Sequence, residues 1–184
     1  MNYFPGLCVI FEYTNPLIVN FEVVRLDEFS GSKATLYSIV LEEDSVEDQT
    51  LFDKFLHENS SLYPAEIKDI LSRLFSITHK TGAQDFLLKP NEGGFSDDIV
   101  ALYDDPKKHL RLYAIRFGVN VLILGGGGYK PKKIKALQEN PKLRKENYLL
   151  RECAKRIDSR IRDKGLMLFE NELIGDFNFY GDED

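Results

Sequence analysis

"HLRLYAIRFGVNVLILGGGGYKPKK", residues 109–133, is the stretch on which the reading of this chain turns. "HLRLYAIRF" and "VNVLILGG" are short runs rich in β-branched and aromatic side chains, separated by the turn signal "FGVN". With "DIVALYD" before them, across the "DDPKK" turn, they predict an antiparallel meander. In the first run Leu110, Leu112, Ala114 and Phe117 tend to one face. Arg111, Tyr113 and Arg116 lie nearer the other, with the alternation slipping at Ile115. The second run is apolar on both faces and so predicts a central strand. The four glycines that follow do not make a nucleotide loop. A Walker loop needs a hydroxyl residue after its lysine, but Lys130 is preceded by Tyr129 and followed by Pro131, which removes an amide. A dinucleotide fingerprint would have to open a helix in a βαβ unit. The glycines instead predict a backbone bend, or a close approach that leaves no room for a Cβ.

Outward from the meander the period changes. Upstream, Leu51, Phe52, Phe55 and Leu56 recur at helical spacing in a segment near 46–58, with Ser45 as the expected N-cap. A second helix near 64–79 begins at Pro64, carries the stripe Ile67, Ile70, Leu71, Leu74 and Phe75, and stops at Gly82. Before these, 34–42 reads as a strand, and "LCVIFEYTNPLIVNFEVVRL" reads as a hairpin turning at Asn15-Pro16. Downstream, Leu150, Cys153, Ala154, Ile157 and Ile161 lie at helical spacing under a basic coat, and the tail starts like a strand and ends acidic and frayed. The fold class expected is α+β: an antiparallel sheet, two helices before it and a basic C-terminal helix. The domain division expected is an N-terminal hairpin extension (1–31), a core (32–164) and an acidic tail (165–184).

The 184 residues carry a net charge of −6 that conceals a segregation. Residues 1–106 hold 7 basic and 19 acidic side chains, 107–164 hold 17 and 5, and 165–184 hold none and 6. A basic segment flanked by two acidic ones argues for an anionic partner surface. No run approaches the length of a membrane span and the N-terminus lacks a basic n-region, so a soluble cytoplasmic protein without a membrane partner is expected. Cys8 and Cys153 lack metal-ligand spacing and fit core packing in a reducing compartment.

Among single residues, His57, His79 and His109 show no metal-binding spacing, and His109 alone lies near Arg111, where it could act as acid or base. Asp97-Asp98 and Asp104-Asp105 read as solvated turns rather than a two-metal site. Neither a nucleophile elbow nor a Cys–His pair is present locally. The helix cations Arg151, Lys155, Arg156, Arg160 and Arg162 could track phosphates or face the acidic half. The terminal "DFNFYGDED" is expected to fold back over a basic cleft and mask it.

"RLYAIRF", the apolar run and "GGGGYKPKK", in an order of strand, two helices, meander and basic helix, resemble the RelE-like (RelE/ParE/HigB) toxin superfamily of type II toxin–antitoxin systems. The resemblance covers roughly residues 32–163 and rests on element order with these two stretches. It implies a RelE-like core and metal-independent, cofactor-free endoribonuclease activity, in which the ribose 2′-hydroxyl attacks the adjacent phosphate. Carried over by position, it implies Arg111, Arg116 and Lys130 as catalytic cations and Tyr113 and His109 as further catalytic groups. Lys132, Lys133, Tyr129, Arg151 and Lys155 become RNA-binding residues. The implied partners are mRNA, on or off the ribosome, and a cognate antitoxin from a bacterium or phage. A non-catalytic nucleic-acid and protein-binding module, or a gyrase-directed ParE-like toxin, would share the scaffold. The chain departs from the family in its acidic net charge, its N-terminal hairpin, its tail, and glycines where many relatives have His or Phe.

Overall fold

A computed structural model of the protein describes residues 19–42, 49–90, 92, 98–102, 109–130 and 140–181. Its centre is the hairpin of β5 (Leu110–Phe117) and β6 (Val121–Tyr129). Gly118 makes its turn possible at φ +60°, a left-handed conformation that favours glycine. β6 is buried from Val121 to Gly128, as expected of a strand covered on both faces.

Seven strands form the main sheet in the order β3-β4-β5-β6-β2-β1-β9. They are β1 (Phe21–Arg25), β2 (Thr35–Leu41), β3 (Leu88–Lys89), β4 (Ile99–Leu102), β5, β6 and β9 (Asn178–Phe179). All neighbours are antiparallel except β2 and β6, which run parallel from Thr35↔Val121 to Ser38↔Leu124. A parallel pair needs a long crossover. Here α1 (Leu51–Asn59) and α2 (Pro64–Ser76) supply it, and they cover the face holding Leu36, Val100, Leu112, Leu122 and Leu124. The opposite face, with Val23, Ile39, Tyr113, Ile115 and Ile123, packs on α3 (Pro141–Arg162) through Leu143, Leu150, Cys153, Ala154 and Ile157. Each fully buried Leu, Ile or Phe of these layers contributes about 1.5–3 kcal/mol.

The protein is thus mixed α/β with a mostly antiparallel sheet, and the sheet is larger than the sequence suggests. Phe21–Arg25, expected in an N-terminal extension, is strand β1 of the main sheet; the Asn15-Pro16 turn lies outside the described residues. The first helix starts at Leu51 with Thr50 as its N-cap; Ser45, the expected cap, lies outside the described residues. Thr50 Oγ1 accepts from the Asp53 N–H at 3.0 Å, and the Asp53 carboxylate accepts in return from the Thr50 N–H. That reciprocal cap satisfies the first amides where the segment leaves its bridge to Val40. α2 ends in a wider turn over Ile77–Thr81, and Gly82 at φ +73° stops it as expected. Asn140 caps α3 through the Leu143 N–H at 3.1 Å.

Residues 166–181 begin as a strand, as expected, and are built into the fold, while the acidic end at 182–184 lies outside the described residues. β7 (Leu166–Phe169) and β8 (Glu172–Gly175) make a separate hairpin, and β9 returns to β1, where Phe179 stacks on Phe21 at 4.4 Å. The segment does fold back on basic side chains. Arg160 binds the Asp176 carboxylate at 3.2 Å and lies 3.9 Å above the Phe179 ring, while Arg156 donates to the Val19 carbonyl at 2.5 Å and the Gly181 carbonyl at 3.1 Å. Phe179 is fully buried, so what binds these arginines is part of the core, not a removable mask.

Candidate functional site

The glycines of 125–128 are strand residues whose bare backbone admits neighbours. A Cβ on Gly125 would lie 2.7 Å from a Leu150 methyl, and one on Gly127 would lie 2.0 Å from the Arg111 carbonyl oxygen. The second contact is backbone, which cannot swing away. Beside them β6 takes one extra residue against β5, between the Leu112↔Gly127 and Ala114↔Leu124 pairs.

β5 itself alternates without a slip, which decides where its cations go. Arg111 and Tyr113 share the α3 face, whereas Arg116 shares the other with Leu112 and Ala114. Five residue steps of strand, about 16 Å, also separate the two arginines along β5. Arg111 is buried and binds the Glu92 carboxylate at 2.9 Å; Lys89 binds the same group at 2.7 Å, and Asn147 of α3 donates to the Glu92 carbonyl at 2.9 Å. Arg116 binds Asp85 at 2.5 Å and the Ala83 carbonyl at 3.3 Å. The expectation that Arg111 and Arg116 converge on one patch is therefore corrected: each pairs with a carboxylate on its own face. Tyr113 is fully buried in the α3-side core.

His109, Tyr129 and Lys130 do come together, where β5 begins and β6 ends. Leu110 pairs with Tyr129, and the Lys130 N–H donates to the His109 carbonyl at 2.5 Å. The His109 ring lies near-parallel to Tyr129 at 5.4 Å and 16°, and Tyr63, preceding α2, lies near-parallel to Tyr129 at 5.8 Å and 17°. Three rings thus form one run, with Tyr129 41% exposed at its centre. Asn140 ties this run to the start of α3 by donating to the Tyr129 carbonyl at 2.9 Å.

Glu66, in the first turn of α2, anchors the histidine. Its Oε2 accepts from the His109 and Leu110 backbone amides, each at 2.8 Å, and its Oε1 meets His109 Nδ1 at 3.2 Å. Partial burial works to raise the Glu66 pKa, but the hydrogen bonds from Leu110 and His109 and the nearby imidazole outweigh it, and the carboxyl is held below its usual range. With Nδ1 turned to the carboxylate, Nε2 is the nitrogen left for proton transfer.

Glu146 behaves oppositely. It lies against the bare backbone of Gly126, and burial pushes its pKa up; Lys142 and Lys54 counter this and Glu58 adds to it. Lys142 in turn binds Glu58 across the gap between α3 and α1.

Lys132 and Lys133 lie outside the described residues. Arg151 sits 5.6 Å above the exposed Tyr148 ring and Lys155 pairs with Glu152 at 2.6 Å, both on α3, the helix on the Arg111 side of the sheet. His79 stacks on Phe75 at 4.2 Å, and His57 is exposed on α1. Cys153 is buried, with its thiol pushed up to about 12, so it packs and does not react; Cys8 lies outside the described residues. Among the described residues no group of acidic, histidine or cysteine side chains could hold a metal ion, and no helix is long and apolar enough to cross a membrane.

Sequence reasoning missed Tyr63 and Glu66. Glu66 reads locally as an acidic residue complementing a helix N-terminus. Its partner stands 43 positions away, a pairing that only the fold reveals.

Fold and site together define a mixed α/β protein with an aromatic–imidazole–carboxylate cluster at one end of its central hairpin. Comparison with protein-family models, with curated proteins and with solved structures finds no match to this chain.

Proposed function

We propose that the protein is a RelE-like toxin that cleaves mRNA without a metal, and that its chemistry is centred on His109. The observation that carries this reading is the Glu66–His109–Tyr129–Tyr63 cluster, which combines an oriented imidazole with a run of stacked rings. Aromatic side chains suit stacking with unpaired bases, each stack contributing about 1–3 kcal/mol. Imidazole is the side chain best matched to proton transfer near neutral pH. In the proposed step His109 Nε2 takes the proton of the ribose 2′-hydroxyl, and the oxygen attacks the adjacent phosphorus. Lys130 offsets the charge that develops there, and the Tyr129 hydroxyl protonates the departing 5′ oxygen. The products are a 2′,3′-cyclic phosphate and a 5′-hydroxyl end. The order of strand, two helices, meander and helix supports a RelE-like core, and a cognate antitoxin is the proposed protein partner.

The test is cleavage of a labelled RNA oligonucleotide in the presence of a chelator. His109→Ala is expected to slow cleavage about 100-fold or more. Tyr129→Phe should lower the rate while keeping affinity, and Tyr129→Ala should lower both. Arg116→Ala should change neither. Undiminished cleavage by His109→Ala would refute the assignment. A second reading, a non-catalytic nucleic-acid module, is favoured by the pairing of Arg111 with Glu92 and of Arg116 with Asp85, which removes two cations from catalysis. Tight RNA binding with intact RNA in the wild-type protein would select it.

A further inference from the structure

The cations of α3, which the sequence presents as one coat, divide between two flanks of the helix. Arg156 and Arg160 are taken up by the C-terminal segment: Arg156 donates to the Val19 and Gly181 carbonyls, and Arg160 binds Asp176 and lies over the Phe179 ring. Lys142, at the other end of that flank, reaches Glu58 of α1. Arg144, Tyr148, Arg151 and Lys155 lie elsewhere. Their spacing of four, three and four residues keeps them within about 60° of one another on a helix that turns about 100° per residue. Asn147, next to this stripe, donates to the Glu92 carbonyl at 2.9 Å, and the Glu92 amide donates to Ile99 of β4, so the stripe lies on the flank nearer β4.

Arg144 is exposed, Tyr148 is 49% exposed, and Arg151 is half-buried with its guanidinium 5.6 Å above the Tyr148 ring. Lys155 pairs with Glu152 at 2.6 Å, yet its side chain stays 63% exposed. Asp158, one turn beyond, ends the stripe. Its near end adjoins the run of rings: the Arg144 N–H donates to the Asn140 carbonyl at 2.9 Å, and the Asn140 side chain donates to the Tyr129 carbonyl at 2.9 Å. From Arg144 to Lys155 the helix rises about 16 Å, the length of about five stacked nucleotides at about 3.4 Å each.

We propose that this flank of α3 is a track for single-stranded RNA, holding the nucleotides that adjoin the one at the Glu66–His109–Tyr129 cluster. Cations alone would suit any polyanion. A tyrosine among them, with a guanidinium over its ring, suits a chain that offers flat bases and phosphates in alternation. In this arrangement, which presupposes the reading of that cluster as an RNA site, Tyr148 stacks a base while Arg144, Arg151 and Lys155 meet successive phosphates. Arg156 and Arg160, committed to the C-terminal segment, take no part. The track thus adds Arg144 and Tyr148 to the residues expected to bind RNA, and makes affinity depend on nucleotides beyond the one that reacts.

The experiment measures binding of a labelled 2′-O-methyl RNA decamer to the full chain by fluorescence anisotropy across a salt series. That probe has no free 2′-hydroxyl and cannot be cleaved, so affinity is read apart from the proposed reaction. Arg144→Ala, Arg151→Ala and Lys155→Ala should each weaken binding and each reduce the slope of log affinity against log salt by about 0.7. Tyr148→Ala should weaken binding about tenfold without altering the slope, and Tyr148→Phe should retain the affinity. Lys33→Ala, whose backbone joins Thr78 beyond α2 on the other face of the sheet, should change nothing. Unaltered affinity in the four stripe variants to alanine, an equal loss in Lys33→Ala, or binding of polyglutamate as tight as that of RNA, the mark of an acidic protein partner, would overturn the track. A wild-type protein that shows the expected losses but leaves unmodified RNA intact would keep the track and refute the cleavage reading.

Discussion

Two glutamates set the pH behaviour of the region around β6. Glu66 is held low by the amides and imidazole it accepts from, so its contribution is present above the unfolded carboxyl pKa and is lost as pH falls through the lower folded value. Glu146 is raised by burial, so its contribution is complete at acid pH and is lost as pH rises through the raised value. Once ionised, Glu146 carries the cost of a poorly solvated charge. Glu146→Gln is expected to raise the melting temperature at neutral pH, and the gain should vanish under acid conditions. Glu66→Gln should do the reverse, losing about 1–3 kcal/mol near neutrality through its weakened hydrogen bonds to His109 and Leu110. Thermal denaturation of both variants across pH 4–8 checks the two signs together.

Among the elements, β6 is the one whose composition is least negotiable. Gly127→Ala would push a methyl into the Arg111 carbonyl, and because both partners are backbone in adjacent strands the sheet must part. A loss of about 3 kcal/mol is expected in urea unfolding, against a smaller loss of about 1–2 kcal/mol at Gly118, where a Cβ meets nothing within 4 Å and only the left-handed φ of +60° is at stake. The sequence already argued against a phosphate loop here, from Tyr129 and Pro131, and it placed β5, β6, α2 and α3 through their apolar periods. It did not reveal the parallel β2–β6 pair, because a strand's partner is set by the crossover of two helices and not by its own residues. The facing of Arg116 was misread because Phe117 stands next to it. An aromatic at a strand end reads as core on whichever face is assumed, and the supposed slip at Ile115 followed from that. The candidate site was legible in its β5–β6 half, where His109, Tyr129 and Lys130 are close in pattern. Its α2 half, Tyr63 and Glu66, depends on contacts between distant segments.

Across the whole molecule, part of the segregated charge of the sequence is spent internally. Lys142 binds Glu58, Arg111 binds Glu92, Arg116 binds Asp85 and Arg160 binds Asp176, so basic and acidic segments meet within one chain. The 176–181 segment is the clearest case. Phe179→Ala, which removes the stack on Phe21 and the ring beneath Arg160, is expected to cost about 3–5 kcal/mol in chemical denaturation. Deleting 175–184 should destabilise the protein rather than unmask a binding cleft.

The closing of β9 on β1 also sets an order of events. Gly181 donates to Asn20, 161 positions earlier, and β2 waits for β6 as its parallel neighbour. During synthesis β1 and β2 therefore leave the ribosome with nothing to pair with except each other, and the sheet can be completed only once residue 179 has emerged. The sheet thus waits for residue 179, and chains interrupted before it would leave Phe21 without its stacking partner, open to chaperones or proteases.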